Sequence, residues 1–226
     1  MILAANRDER IDRPWDRPAA YWPEQPHMVA GRDRTGGGTW MGLNHHGVVA
    51  AVLNRQGSLG PAPGKRSRGE LPLLALGHGS ADAAAEAISR LNAAAWRSFN
   101  LVIADRGRCF FIRGLGAGQP QARALAPGIH MVTAHDPNDE QSPRVARHLP
   151  RFCSASDPEP PDWRSWTDIL ADRSGPPGSE LNVPARAGFG TVCSSLLALP
   201  AAGEPVWLFA PGPPDAVSFR PVQVSA

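Results

Sequence analysis

The sequence predicts an α+β fold, two stacked antiparallel sheets flanked by helices. Two observations lead there. Apolar runs of strand length fall in groups of three, three and two, with two helical segments between successive groups. That is segregation, not the strand–helix alternation of a parallel sheet. In addition, "LVIADRGRCFFIR" reads as a hairpin turning at Arg106 and Gly107, the hallmark of antiparallel pairing.

In chain order, the strands of the first group are "MILAAN", "TWMGLN" and "GVVAAVLN". Two helices follow. Ser67 and Glu70 form an SxxE capping signature before "LPLLALG", with Pro72 just beyond the first turn, and "SADAAAEAISRLNAAAW" is Ala-rich. The second group is "FNLVIAD", "RCFFIRG" and "IHMVTA". Ser142 then offers an N-cap with Pro143 at the first helical position of "PRVARHLPRF", and "DWRSWTDILAD" puts Trp163, Trp166 and Ile169 or Leu170 on one face. The last strands are "FGTVCSSLLAL" and "PVWLFA". The 23 glycines and 24 prolines gather in "RQGSLGPAPGK", "SDPEPPD", "RSGPPGSELNVP" and "APGPPDA", loops between periodic segments. Residues 1–226 fit one domain able to bury about 70% of its unfolded surface.

Charge and composition exclude several functions. The 23 Lys+Arg nearly balance 21 Asp+Glu, and the one basic cluster, "GKRSR" at 64–68, is too short for a nucleic-acid stripe. Three widely spaced cysteines form no disulfide framework or zinc pattern and fit a reducing cytoplasm. Cys109, Cys153 and Cys193 all read as small buried hydrophobes, and Trp40 and Trp207 as core. No apolar run is long enough to insert in a membrane.

Motifs for cofactors fail on their chemistry. "GPAPGKRS" has two prolines where a phosphate loop needs N–H groups, and Arg66 where it needs Ser or Thr. "TGGGTWMG" lacks dinucleotide spacing and reads as a turn requiring positive φ. The i to i+5 spacing of His130 and His135 points them to opposite faces of a strand, against a metal site with Asp136. "NHHG" at 44–47 reads as a hairpin turn. No cofactor is expected.

The opening "ILAANRDE", with "DRP", "AGRDRTGGGTWMGLNHHGVVAAVLNR", "KRSRGEL", "FNLVIAD" and "GTVCSSLLAL", resembles the NRDE, or Transport and Golgi organisation protein 2, family from end to end. That family is similar to N-terminal nucleophile hydrolases of the choloylglycine and penicillin-acylase type, and the resemblance implies their αββα four-layer sandwich. In those hydrolases an N-terminal Cys attacks, its own α-amine serving as base. Asn6, Arg7 and Asp8 match their Asn-x-Asp, which implies that Asp8 orients the amine and thiol and that Asn6 stands beside it in the site. "GLNHHGVVAAVLN" is similar to the stretch whose last Asn donates to the oxyanion, placing that role on Asn54.

Departures accompany the match. Met1 and Ile2 are not nucleophiles, whereas family members carry a preceding strand opening Met-Cys. The resemblance thus implies a first strand upstream, about 12 to 20 residues, without which residues 2–6 would present an unpaired ladder edge. Ala5 stands where the hydrolases have Arg, and Ala134 where they have Asn.

The residues alone also allow plainer readings. Asp8 and Asn54 could be turn or cap residues, while Arg7 and Glu9 should face away from Asp8 into an ion pair or solvent. Two functions follow from the resemblance. One is hydrolysis of a nonpeptide C–N amide bond, with Asp8, Asn54 and Asn6 in the site. The other is non-catalytic handling of a small molecule such as haem or an acyl-coenzyme A, with His45 or His46 a possible axial ligand for haem.

Overall fold

A computed structural model describes residues 1–224. The seven-stranded sheet is an antiparallel meander: β2 (Trp15–Ala19), β3 (Met28–Asp33), β4 (Met41–Asn44), β5 (Val49–Asn54), β6 (Phe99–Ala104), β7 (Cys109–Gly114) and β8 (Gln121–Ala124). Helices α1 (Glu70–Leu76) and α2 (Ala81–Ser89) are inserted between β5 and β6. The four-stranded sheet joins the two ends of the chain in the order β1 (Ile2–Arg10), β9 (Phe189–Ala198), β10 (Val206–Ala210) and β11 (Arg220–Pro221). Helices α3 (Pro143–Ser154) and α4 (Ser165–Leu170) belong to its outer side. The α+β class and the four layers are those expected.

Strand alternation builds the layers. Met28, Ala30 and Ala50 pack with Leu71, Ala75 and Ile88 of the first helix pair. Their neighbours Val29 and Val49 turn the other way, onto Leu197, Leu199, Trp207 and Leu3 of the facing sheet. In β9, Leu196 and Ala198 face Trp163 and Leu170. Because β9 is covered on both sides, nine of its ten residues are buried, with Thr191, Ser194 and Ser195 among apolar residues.

The sheets do not overlap evenly. β1 pairs with β9 along its whole length, and among the described residues no strand pairs with its other side, the open edge expected at residues 2–6. The space beyond that edge is bordered by inner-face residues of the longer sheet, including Val102, Ala104 and Cys109.

Several expectations are corrected. The polar cluster does not end the first strand, since β1 continues through Asn6, Arg7, Asp8 and Glu9 with a bulge between Arg7 and Asp8. "IHMVTA" is not a strand. Asn100 Nδ2 donates to the carbonyls of Thr133 and His135, and Asn138 side and main chain bond Met131, so side chains occupy groups that a ladder would need. The strands β2, β3, β8 and β11 were not anticipated. The capping box also fails: Gly69 is the N-cap, and Glu70 instead accepts from Arg66 Nε at 2.6 Å. Pro72 is tolerated because it lies in the first turn, where its missing N–H has no intrahelical partner to lose. Ser142 does cap α3, accepting from the Val145 N–H.

The Gly36–Gly38 run has a local cause. Gly37 takes φ +70°, the turn conformation anticipated, and a Cβ on Gly38 would lie 2.4 Å from the carbonyl carbon of Gly69. The Thr39 N–H donates to Gly69 O at 3.0 Å. The β3–β4 hairpin is thereby held against the loop that precedes α1.

Candidate functional site

A cavity of about 1950 Å³ lies between the sheets beside β1. Its apolar wall includes Leu3, Ala51, Leu53 and Val102, and the irregular 125–134 segment closes another side. Asn6, Asp8 and Asn54 all border it. Bordering a cavity of this size assigns a side chain no role, but its hydrogen bonds are informative.

Asn6 is a clamp. Its Nδ2 donates to Leu170 O and Leu181 O, both at 2.9 Å, and its Oδ1 accepts from Ser194 Oγ at 2.6 Å. The amide is fully occupied in joining β1 to the end of α4, the 181 loop and β9. Asp8 accepts from Thr191 Oγ1 at 2.7 Å and from Arg144 Nη1 at 3.0 Å, so its carboxylate is ion-paired to α3. Asn54, the last residue of β5, makes no side-chain hydrogen bond among the described residues. Arg7 turns away from Asp8 as expected. Its guanidinium lies 4.3 Å over the Trp40 ring and 3.5 Å from Glu9, and burial lowers its pKa. Trp40 therefore serves as a platform for Arg7 as well as packing in the core.

Three residues that sequence reasoning missed belong to this region. Thr191 and Arg144 fix Asp8, and Arg68 borders the cavity from the loop before α1. Thr191 and Arg144 are 183 and 136 residues from Asp8, and no local pattern signals such contacts.

The cysteines differ from one another. Cys193 is buried, and desolvation pushes its thiol up to about 12. Cys109 is half-buried at the cavity with its thiol also raised by burial. Cys153 is exposed on α3, correcting the expectation that it is buried. All three are free. Neither cavity thiol is a thiolate at neutral pH, so neither is poised for attack. The α-amine of Met1 donates to Leu199 O at 2.9 Å, roughly 20 Å of strand away from Asp8.

His45 and His46 form the β4–β5 turn, where Asn44 Oδ1 accepts from the His46 and Val48 N–H groups. They do not border the cavity. His130 does border it, with Nε2 on Ala126 O and Nδ1 facing Asn138 Nδ2. Asp136 instead joins Arg55 and Arg113, each at 2.7 Å. Among the described residues no group of His, Cys, Asp and Glu could hold a metal, and no helix is long and apolar enough to cross a membrane.

Comparison with known proteins gives this geometry a context. Penicillin V acylase from Agrobacterium tumefaciens superposes with a TM-score of 0.54 at 14% identity, over 93% of this chain and 78% of the acylase. That likeness concerns the fold alone, an αββα sandwich of the N-terminal nucleophile hydrolase type. In sequence, the chain is 32% identical over 139 residues to the Transport and Golgi organization protein 2 homolog of Bos taurus, covering 58% of this chain. It is 31% identical over 144 residues to the Mus musculus homolog. It matches 49% of the length of each. The sequence profile of Transport and Golgi organisation 2 matches residues 1–204, and the chain belongs to that family.

Proposed function

We propose that this chain handles a small molecule held in the cavity between its two sheets. The observation that carries this reading is the cavity itself, which is larger than the ~300–1000 Å³ of common ligand sites. It combines apolar sheet faces with polar groups at its border, as ligand pockets do. The two thiols that border it are kept protonated by burial, which favours binding over attack by this chain's own cysteines.

A second reading, hydrolysis of a nonpeptide C–N bond, is favoured by one specific arrangement. Asp8 is fixed by Arg144 and Thr191 on the cavity border, and Asn54 borders the same cavity. In this reading Asp8 orients a nucleophile and Asn54 donates to the developing oxyanion, a contribution of about 3 kcal/mol.

One experiment separates the two. Wild type, Asp8→Asn and Asn54→Ala are each given a panel of acyl amides, haem and acyl-coenzyme A, with turnover and calorimetric binding measured in parallel. Handling without hydrolysis predicts saturable binding and no turnover in any version. Turnover that falls by about a hundredfold in both variants would establish the hydrolase reading instead.

A further inference from the structure

The basic cluster at 64–68 takes on a function once the charges around the cavity are compared. The chain as a whole is nearly balanced, with 23 Lys+Arg and 21 Asp+Glu. Around the cavity the balance is ten Arg and Lys against four Asp and Glu. The four acids are all engaged. Asp8 is paired with Arg144, Asp33 with Arg13, and Glu9 with Arg7 and Arg13, while Asp105 accepts from backbone N–H groups.

The excess is greatest where the 57–69 loop overhangs the cavity. Arg68 Nη1 donates to Ser58 O at 2.6 Å, Ser58 Oγ at 3.0 Å and Ser98 O at 3.2 Å, and its Nη2 donates to Gly60 O at 3.2 Å. Arg97 is held in the same way by the carbonyls of Gly57, Leu59, Gly60 and Pro61. Among the described residues neither guanidinium has a carboxylate partner. Lys65 Nζ rests on Ala94 O, and only Arg66 of the cluster is ion-paired, to Glu70. Neutral carbonyl oxygens orient these cations without cancelling their charge. Burial, and then the like charge of Arg97, lower the pKa of Arg68. A half-buried cation beside a second one is costly unless an anion joins them.

We propose that the end of the cavity beneath the 57–69 loop is an anion subsite, in which Arg68, supported by Lys65 and Arg97, receives the carboxylate or phosphate of an amphipathic ligand. The apolar part of that ligand lies along Leu3, Ala51, Leu53 and Val102. This rests on the reading of the cavity as the ligand site. It adds the ligand's chemical class, a long apolar body ending in an acid.

The test uses three probes of one chain length, dodecanoate, dodecyl phosphate and dodecanol, titrated calorimetrically into wild type, Arg68→Gln, Arg68→Lys and Lys65→Gln. Wild type is expected to prefer at least one acid over the alcohol by roughly tenfold to a hundredfold. The stronger acid arm identifies carboxylate or phosphate. Arg68→Gln removes the preference while leaving dodecanol affinity unchanged, Arg68→Lys retains part of it, and Lys65→Gln lowers it by a smaller factor. Added NaCl shrinks the wild-type preference, a readout that holds even if Arg68→Gln loosens the loop and fails to fold. Equal binding of acids and alcohol, a preference insensitive to salt, or one that survives in folded Arg68→Gln overturns the subsite and leaves the cavity reading intact. Binding of none of the three probes overturns both.

Discussion

Asn6→Ala tests whether the amide of "NRDE" acts as a structural clamp. The substitution removes two donated bonds of 2.9 Å and one accepted bond of 2.6 Å, leaving the carbonyls of Leu170 and Leu181 and the Ser194 hydroxyl without this partner. At a net value of about 1 kcal/mol for each bond, the expected loss is about 3 kcal/mol. In a chain of this size that lowers Tm by roughly 6–12 °C. Ser194→Ala removes only one of the three and should cost about 1 kcal/mol. Asn6→Asp is the sharper variant, because it turns carboxylate oxygens towards two carbonyl oxygens. Its folded-state pKa should be raised, so the destabilisation is greatest at neutral pH and fades as the carboxyl protonates on acidification. Differential scanning calorimetry at pH 7 and pH 4 reads all three variants. A fall in Tm of less than 2 °C for Asn6→Ala, or an Asn6→Asp variant equally stable at both pH values, would refute the clamp.

Further outcomes follow from other contacts. Gly38→Ala should destabilise by about 1–3 kcal/mol, since the added methyl meets the Gly69 backbone rather than a movable side chain; urea unfolding measures it. Against the raising effect of burial, hydrogen bonds from Ser174 and Arg151 hold the Asp172 carboxyl well below the usual range. Its contribution is therefore present above the unfolded pKa of about 4 and lost on acidification, and the stability gap between wild type and Asp172→Asn should close as pH falls. Iodoacetamide at pH 8 should modify exposed Cys153 first and leave Cys193 unmodified until urea unfolds the chain, as peptide mapping would show.

The sequence was most legible where burial is two-sided or strictly alternating. The runs that became β5, β6, β7, β9 and β10 carry apolar residues because both faces of each strand are covered. Edge strands escaped for the complementary reason. β2 contains Pro18 and no fully buried residue, although Trp15 packs on the facing sheet, and β8 is the fully exposed "QARA", so neither has the alternating buried face that imposes a pattern. "IHMVTA" misled because its apolar residues line a cavity and a satellite cluster rather than a ladder. For the candidate site, Asp8 and Asn54 both border the cavity, but the motif match could not show that Asn6 is fully engaged. The partners that decide this, Leu170, Leu181 and Ser194, lie far along the chain. The "GKRSR" cluster was visible, yet the absence of a carboxylate opposite Arg68 depends on how residues 57–60 and 98 fold around it.

The pairing of β1 with β9 has a consequence for how the chain is made. β1 leaves the ribosome well before its ladder partner at residues 189–198, and the Asn6 clamp needs residues 170, 181 and 194. At ~5–20 residues per second, roughly 10–40 s of synthesis separate the two. Throughout that interval the seven-stranded meander and its first helix pair can close among near neighbours, while β1 waits for β9. Pairing of β1 with β9 is thus a late step of high sequence separation, and until β9 is made that side of β1 is open to chaperones and to mispairing.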